Sequence, residues 1–379
     1  MKFIFSLVFI VASTALFGQK KVIDHTAYND WKTLKNHMIS NNGDFISYEI
    51  TPHRGDGFLY IYDKAKETLD SIPRAKGASF SGNSDYIAFK ITPGFDTLRT
   101  CELEKLEKKD WPKDSLGIYI LATGELNKYE RISAFSVNNE SNWITYMSFD
   151  NKLTNPVDAK KKCRLFRRRQ GPPIKSKGHL LTIFDPIDDN LREIKDVKSY
   201  KMSKYGKYVA YITHQKKKKD SVHLKVTNPG FWDVWEDDIK YASLQKMAFN
   251  DQENKLAFAA SNDTNEIKTF GIYLFDLELR MKTLVASEGD SFLPEGHSAS
   301  VNYYPVFTLK GDKLYFGAAL KPEQDPEDTL VASEKVKLDL WHHADQRLQP
   351  EQLLDLQYEL KKTSLFFPSP GSLYKDNND

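Results

Sequence analysis

An all-β fold is what this 379-residue sequence predicts, and three features predict it. The chain carries 19 Tyr and 23 Phe, residue types that favour the pleated, half-buried surface of a strand. One unit recurs along it at about 40 to 65 residues, measured at positions 48, 89, 146, 211, 258 and 316. The strands of that unit are apolar on successive residues rather than alternately, as expected where both faces are covered. A four-stranded blade lying between two others has such strands, so the sequence predicts a β-propeller of about six recognisable blades.

Each copy has an aromatic or apolar residue beside Ser or a similar polar partner, a polar turn, a strand, a variable loop and a second strand. The first reads Ile39-Ser40-Asn41-Asn42-Gly43-Asp44-Phe45-Ile46-Ser47-Tyr48, then Leu59-Tyr60-Ile61-Tyr62-Asp63. The second is Phe80-Ser81-Gly82-Asn83-Ser84-Asp85-Tyr86-Ile87-Ala88-Phe89, answered by Gly117-Ile118-Tyr119-Ile120. The third runs from Phe135 through Trp143-Ile144-Thr145-Tyr146 to Leu181-Thr182-Ile183-Phe184-Asp185. In the fourth, Met202-Ser203-Lys204-Tyr205-Gly206 leads to Tyr208-Val209-Ala210-Tyr211 and Val222-His223-Leu224-Lys225-Val226. The fifth joins Met247-Ala248-Phe249 and Leu256-Ala257-Phe258 to Ile272-Tyr273-Leu274-Phe275-Asp276. The sixth joins Tyr304-Pro305-Val306-Phe307 and Leu314-Tyr315-Phe316 to Leu338-Asp339-Leu340-Trp341. Asn42-Gly43 and Lys310-Gly311-Asp312 are hairpin turns, where Gly or Asn supplies a positive φ. A β-sandwich competes, but six similar units at this spacing are hard to place in one.

Around this repeat the chain divides into residues 1–18, a signal peptide, 19–350, the propeller, and 351–379, a polar tail or truncated blade. The apolar run from Phe3 to Phe17 is too short to span a membrane, and Ala15 and Gly18 offer a cleavage point before Gln19. The mature chain is therefore expected outside the cytoplasm, periplasmic or extracellular. A net charge of +2 gives no electrostatic case for nucleic acid as a partner, and no second stretch has the length of a membrane span. The basic runs at 160–169 and 216–219 read as solvated loop tips. Cys101 and Cys163 leave two possibilities open, a disulfide permitted by export or two free surface thiols. Residues 98–109 are expected to form a short helix.

A hydrolase nucleophile elbow, G-x-S-x-G, is missing: Gly77-Ala78-Ser79 and Gly289-Asp290-Ser291 both lack the second glycine. Neither H-E-x-x-H, paired C-x-x-C, a Walker loop nor G-x-G-x-x-G occurs. The adjacent pair His342-His343 makes a poor chelate on a strand, because neighbouring residues point to opposite faces. No catalytic, cofactor-binding or metal-binding residue is therefore assigned, and no cofactor is expected.

Three segments resemble one known family. Asp24-His25-Thr26-Ala27-Tyr28-Asn29-Asp30-Trp31-Lys32, with Ile39-Ser40-Asn41-Asn42-Gly43 and Gly55-Asp56-Gly57, resembles the start of prolyl-oligopeptidase-family serine peptidases of the Bacteroidetes type. Trp111-Pro112-Lys113-Asp114-Ser115-Leu116 resembles their second blade, and Leu338-Asp339-Leu340-Trp341 with Leu348-Gln349-Pro350 a later one. The resemblance spans roughly residues 20 to 350. It implies a seven- or eight-bladed propeller capping an α/β-hydrolase domain with a Ser-Asp-His triad, and access limited to short peptides, often cleaved after proline or a small residue. Only six repeats are found and no triad position matches. The chain is thus expected to be the propeller portion of such an exported peptidase, incomplete and inactive on its own. It would gate or dock peptide substrates for a hydrolase domain. A stand-alone exported propeller that binds protein or glycan partners is the alternative. An incomplete propeller is further expected to leave one face of the sixth blade uncovered at Leu314, Phe316 and Leu340, favouring self-association.

Overall fold

The computed structural model describes residues 31–149, 178–188, 190–216, 220–230, 234–236, 241–265, 267–321 and 342–368. The segment 1–18 expected to be a signal peptide, residues 24–30 of the opening motif, Cys163, the basic run 160–169, most of the run 216–219, the segment 338–341 expected as a strand and the end of the tail lie outside them.

The described strands form six four-stranded units in chain order. The first sheet is β1 (Lys32–Ile39), β2 (Phe45–Pro52), β3 (Phe58–Asp63) and β4 (Thr68–Pro73), each paired antiparallel with the next. The second has the order β5 (Ala75–Phe80), β6 (Tyr86–Ile91), β7 (Ser115–Ile120) and β8 (Glu125–Tyr129). The third contains β9 (Ile132–Val137), β10 (Ile144–Ser148), β11 (His179–Asp185) and the first half of β12 (Asn190–Met202). The second half of β12 opens the fourth unit, followed by β13 (Val209–Lys216), β14 (Asp220–Thr227) and β15 (Val234–Glu236). The fifth is β16 (Ser243–Phe249), β17 (Lys255–Ser261), β18 (Gly271–Asp276) and β19 (Met281–Ala286). In the sixth, β22 (Leu314–Leu320) pairs with β20 (His297–Ala299), β21 (Val306–Phe307) and β23 (Ser364–Phe366). The first five units are successive four-stranded meanders and the sixth is an antiparallel sheet in which β22 pairs with the other three strands; units of this kind are the blades of a β-propeller.

A left-handed residue marks each of the first three steps from blade to blade. Arg74 (φ 62°) separates β4 from β5, and Arg131 (φ 57°) separates β8 from β9. Asp196 (φ 60°) does the same inside the long β12, where Val197 pairs with His179 of the third blade and with Thr213 of the fourth. One strand therefore serves two blades, which fuses them into a single seven-stranded sheet.

The chain clusters into two compact units, one drawn from Met1–Ala78 and Phe89–Pro112, the other from Ser79–Ala88 and Lys113–Asp379. In the second unit apolar layers lie between consecutive blades. Leu116 and Ile118 of β7 pack with Ile144 and Tyr146 of β10. Ile212 and Leu224 meet Leu256 and Phe258, and Ile272 and Leu274 meet Leu314 and Phe316. Each side chain so buried contributes about 1.5–3 kcal/mol. In the first unit, α1 (Phe95–Leu103) forms a few residues ahead of the helix expected at 98–109 and buries Cys101. That thiol is free and inside, not on the surface.

The sixth blade departs from expectation. Leu314 and Phe316 are 1% and 0% exposed, covered by Phe292, Val301, Phe307 and Phe366. That face lies against Ile272 and Leu274 of the fifth blade, and the segment read as a tail adds a strand beside it: after α2 (Gln349–Glu359) the chain returns as β23, and Phe366 pairs with Phe316. Apolar exposure remains on Leu309 (83%) and Leu320 (68%) of the sixth blade, and falls also on Leu34 (59%), Ile39 (65%) and Leu69 (51%) of the first. Helix α2 has no buried residue and exposes Leu353, Leu354 and Tyr358. Among the described residues no helix is long and apolar enough to cross a membrane.

Aspartates ending the third strand of a blade cap the next hairpin. Asp63 Oδ1 accepts the N–H groups of Ala65 and Lys66, Asp185 Oδ1 those of Ile187 and Asp188, and Asp276 Oδ1 those of Glu278 and Leu279. The backbone N–H of Lys66 holds the Asp63 carboxyl below its usual value, and the Thr269 hydroxyl does the same for Asp263. A carboxylate depressed in the fold contributes stability above its unfolded pKa of about 3.9 and loses it as the pH falls through the lower folded value. Asp263→Asn should therefore lose less melting temperature than the parent between about pH 5 and pH 2. Equal losses in a pair of melting series would remove Asp263 from the acid transition.

Candidate functional site

The repeated turn has one chemistry. Its first residue is Ser40, Ser81, Ser203, Asn250 or Thr308, and the backbone N–H of that residue donates to the carbonyl five positions on. The N–H of the residue three positions on donates back to its carbonyl. Its side-chain oxygen accepts the N–H five positions on, at 3.0 Å for Ser40, 2.9 Å for Ser203 and 2.8 Å for Asn250. The third residue after the cap is left-handed in all five: Gly43, Ser84, Gly206, Glu253 and Gly311. Ser, Asn and Thr recur there because each offers a short acceptor that closes such a turn.

Within the second unit the turns of neighbouring blades are joined to one another. The Gly82 N–H faces the carbonyls of Asn138 (3.1 Å) and Ser141 (3.2 Å). Asn142 Nδ2 donates to Asp85 Oδ2 at 2.7 Å, and the Tyr86 hydroxyl donates to the Asn142 carbonyl at 3.1 Å. Gly206 lies against the Asn138 carboxamide. The Tyr205 N–H donates to the buried Glu253 carboxylate at 2.7 Å, and Gln252 Nε2 donates to the Leu309 carbonyl at 2.8 Å. The Lys204 ammonium sits 2.7 Å from Asp251 Oδ2, which holds its pKa above the ordinary lysine value. These contacts fix the first strands of the blades in register with each other.

A cavity of about 390 Å3 opens between those first strands in the second unit. Ser199, Lys246 and Tyr304, which line it, stand four positions before the turn residues Ser203, Asn250 and Thr308, and Ala134 four before Asn138, whose N–H likewise donates to the carbonyl five positions on. Ser136 and Lys201 stand two before. Equivalent positions of four consecutive blades thus make one site. Lys246 occupies a bulge between Gln245 and Ala248 with φ 56°, and its Nζ lies 4.3 Å from the centre of the Tyr304 ring. Asn36 (φ 47°) and Gly77 (φ 63°) hold the same position relative to Ser40 and Ser81. The Tyr200 hydroxyl donates to the Thr145 carbonyl and touches Ser136 Oγ, each at 3.3 Å. Burial pushes the Tyr200 pKa up, so the phenol stays protonated.

The residues weighed in the sequence lie apart from this cavity. Ser79 is part of β5, and Asp290 of the second partial elbow accepts the Ser287 N–H at 2.7 Å. His342 and His343 are exposed, with ring centres 4.4 Å apart, and the His342 ring accepts the Ala344 N–H. Among the described residues no three His, Cys, Asp or Glu side chains converge on a metal-sized site. Lys201, Lys246 and Tyr304 were not singled out in the sequence. Their signal was present in the spacing, four or two residues before each Ser, Asn or Thr turn cap.

Blade sheets, capped turns and a cavity between first strands define the chain as built of β-propeller blades. No protein-family model matches it, and no curated protein does. Solved structures with a similar fold include the β-propeller domain of the Trilobed protease from Pyrococcus furiosus, 12% identical, with 76% of this chain and 79% of that one covered and a TM-score of 0.39. The Pyrococcus horikoshii acylaminoacyl peptidase is 12% identical over 78% of this chain and 44% of that one, at a TM-score of 0.37. The oligogalacturonate lyase of Vibrio parahaemolyticus is 13% identical over 74% and 73%, at 0.40. Likeness at this level carries neither a family nor an activity to the chain.

Proposed function

We propose that this chain is the propeller portion of an exported serine peptidase of the prolyl-oligopeptidase type, admitting or docking peptides for a hydrolase domain that carries the nucleophile. The observation that carries the reading is the resemblance of residues 24–32, 39–43, 55–57 and 111–116 to that family, on a chain whose described sheets are blades. The solvent-exposed Leu34, Ile39 and Leu69 on the first blade, with Leu353, Leu354 and Tyr358 on α2, are apolar surface that an adjoining domain would cover. The signal sequence at 1–18 would deliver the protein to the periplasm or beyond, with Gln19 as the mature N-terminus.

The reading is tested at the gene and on the protein together. A reading frame next to this one should encode an α/β pattern with G-x-S-x-G, and co-expression should give a complex that labels with a fluorophosphonate at that serine. The chain alone should neither label nor cleave prolyl or alanyl chromogenic peptides. Labelling of the chain alone that a single Ser→Ala change abolishes would overturn the assignment of catalysis to another domain. Absence of any such neighbouring frame would favour a stand-alone binding module.

A further inference from the structure

We propose that the cavity between the first strands binds a carboxylate attached to an apolar body, held by the ammonium groups of Lys246 and Lys201. The inference does not depend on the peptidase reading, since it concerns only what this cavity offers a ligand.

The first argument is the backbone under Lys246. Its φ of 56° lies in the left-handed region, where glycine and asparagine are at ease and lysine is strained. The equivalent positions of the first two blades hold Asn36 and Gly77, the residues such a backbone selects. At Lys246 that backbone instead carries a long cationic side chain that lines the cavity. The bulge between Gln245 and Ala248 turns that side chain toward the cavity, a use to which bulges are commonly put.

The second argument is which polar groups remain available. The Tyr200 proton is given to the Thr145 carbonyl, leaving the phenol oxygen to accept from Ser136. Those two hydroxyls therefore satisfy each other and the backbone. What is left in the polar lining is Lys201, Lys246 and the Ser199 hydroxyl. Among the described residues no carboxylate lies within 4.0 Å of either ammonium group. Two cations with no counter-charge among the described residues, Lys246 half-buried over the Tyr304 ring and Lys201 exposed at the rim, attract an anion, and a neutral ligand would leave both without one. The third argument is the rest of the wall: Ala134, Met147, Met247 and the Tyr304 ring are apolar surface beside the two cations. A carboxylate with an aliphatic or aromatic body meets both.

Isothermal titration of the mature chain with hydrocinnamate, with its neutral amide and with inorganic phosphate tests this. Hydrocinnamate should bind in the millimolar range or tighter, and the amide about ten-fold more weakly. Lys246→Gln and Lys201→Gln should each weaken the acid by a similar factor, while Lys246→Arg retains it. Lys246→Gly separates a lost site from a lost fold: glycine suits the backbone at this φ, so this variant should melt no lower than the parent yet lose the acid. Equal affinity for acid and amide, no binding of either, or unchanged binding in the glutamine variants would each overturn the proposal. Phosphate binding as tightly as hydrocinnamate would overturn the apolar half of it.

Discussion

Gly82→Ala is expected to remove about 3 kcal/mol or more of stability, the range of overpacking combined with lost buried hydrogen bonds. A Cβ on Gly82 would lie 2.3 Å from both the backbone nitrogen and the Cα of Glu140. Neither atom can swing away as a side-chain terminus would. The Glu140 segment is held from both sides, by the Gly82 N–H on the Asn138 and Ser141 carbonyls and by Asn142 on Asp85. Admitting a methyl means separating the turns of the second and third blades and giving up those bonds, together with the one from Tyr86 to Asn142. Gly43→Ala supplies the contrast. That glycine has a φ of +76° but nothing within 4 Å of its would-be Cβ, so only the left-handed backbone is charged, about 1 kcal/mol. Urea unfolding of the two variants beside the parent measures both. If Gly82→Ala proves no more destabilising than Gly43→Ala, the contact between these turns is not a structural constraint.

The turn that joins the blades is also the part of the fold most legible in the sequence. Ser40, Ser81 and Ser203 stand out because a short hydroxyl and a following left-handed residue make a local motif, readable without knowing what surrounds it. The aspartates after Tyr62, Phe184 and Phe275 are local in the same way, each bonding N–H groups two and three residues on. The cavity is legible only in part: its lining stands at fixed spacings before the turn caps, but which of those residues face inward depends on register. A bulge at Lys246 shifts which residues face inward, and period-two reasoning along β16 does not anticipate that shift. The last strand of the sixth blade was hidden for a different reason. Phe316 meets Phe366 from 50 positions away, after a helix whose own apolar residues stay exposed. Nothing in residues 351–366 resembles the earlier copies, so the returning strand has no repeat signal. The shared β12 is a third case, since one 13-residue strand does what separate outer and inner strands do between other blades.

Phe258→Ala is expected to have the largest effect of a core truncation, about 3–5 kcal/mol. Phe258 is fully buried on β17, stacked on Tyr273 at 5.5 Å with an interplanar angle of 13°, and Tyr241 meets its edge at 6.2 Å. The same apolar layer contains Ile212 and Leu224 of the fourth blade and Leu256 of the fifth. Truncation removes the burial of an aromatic ring and leaves a void that two strands pinned by antiparallel ladders cannot close. Phe258→Leu keeps most of the volume and should cost well under half as much. Trp235, stacked on Phe275 at 3.7 Å against the same layer, gives a local reporter. Its fluorescence should change at a lower urea concentration in Phe258→Ala than in the parent, in step with the far-ultraviolet circular dichroism of the strands. A loss below about 1 kcal/mol would mean that the fourth and fifth blades do not share a close-packed interior.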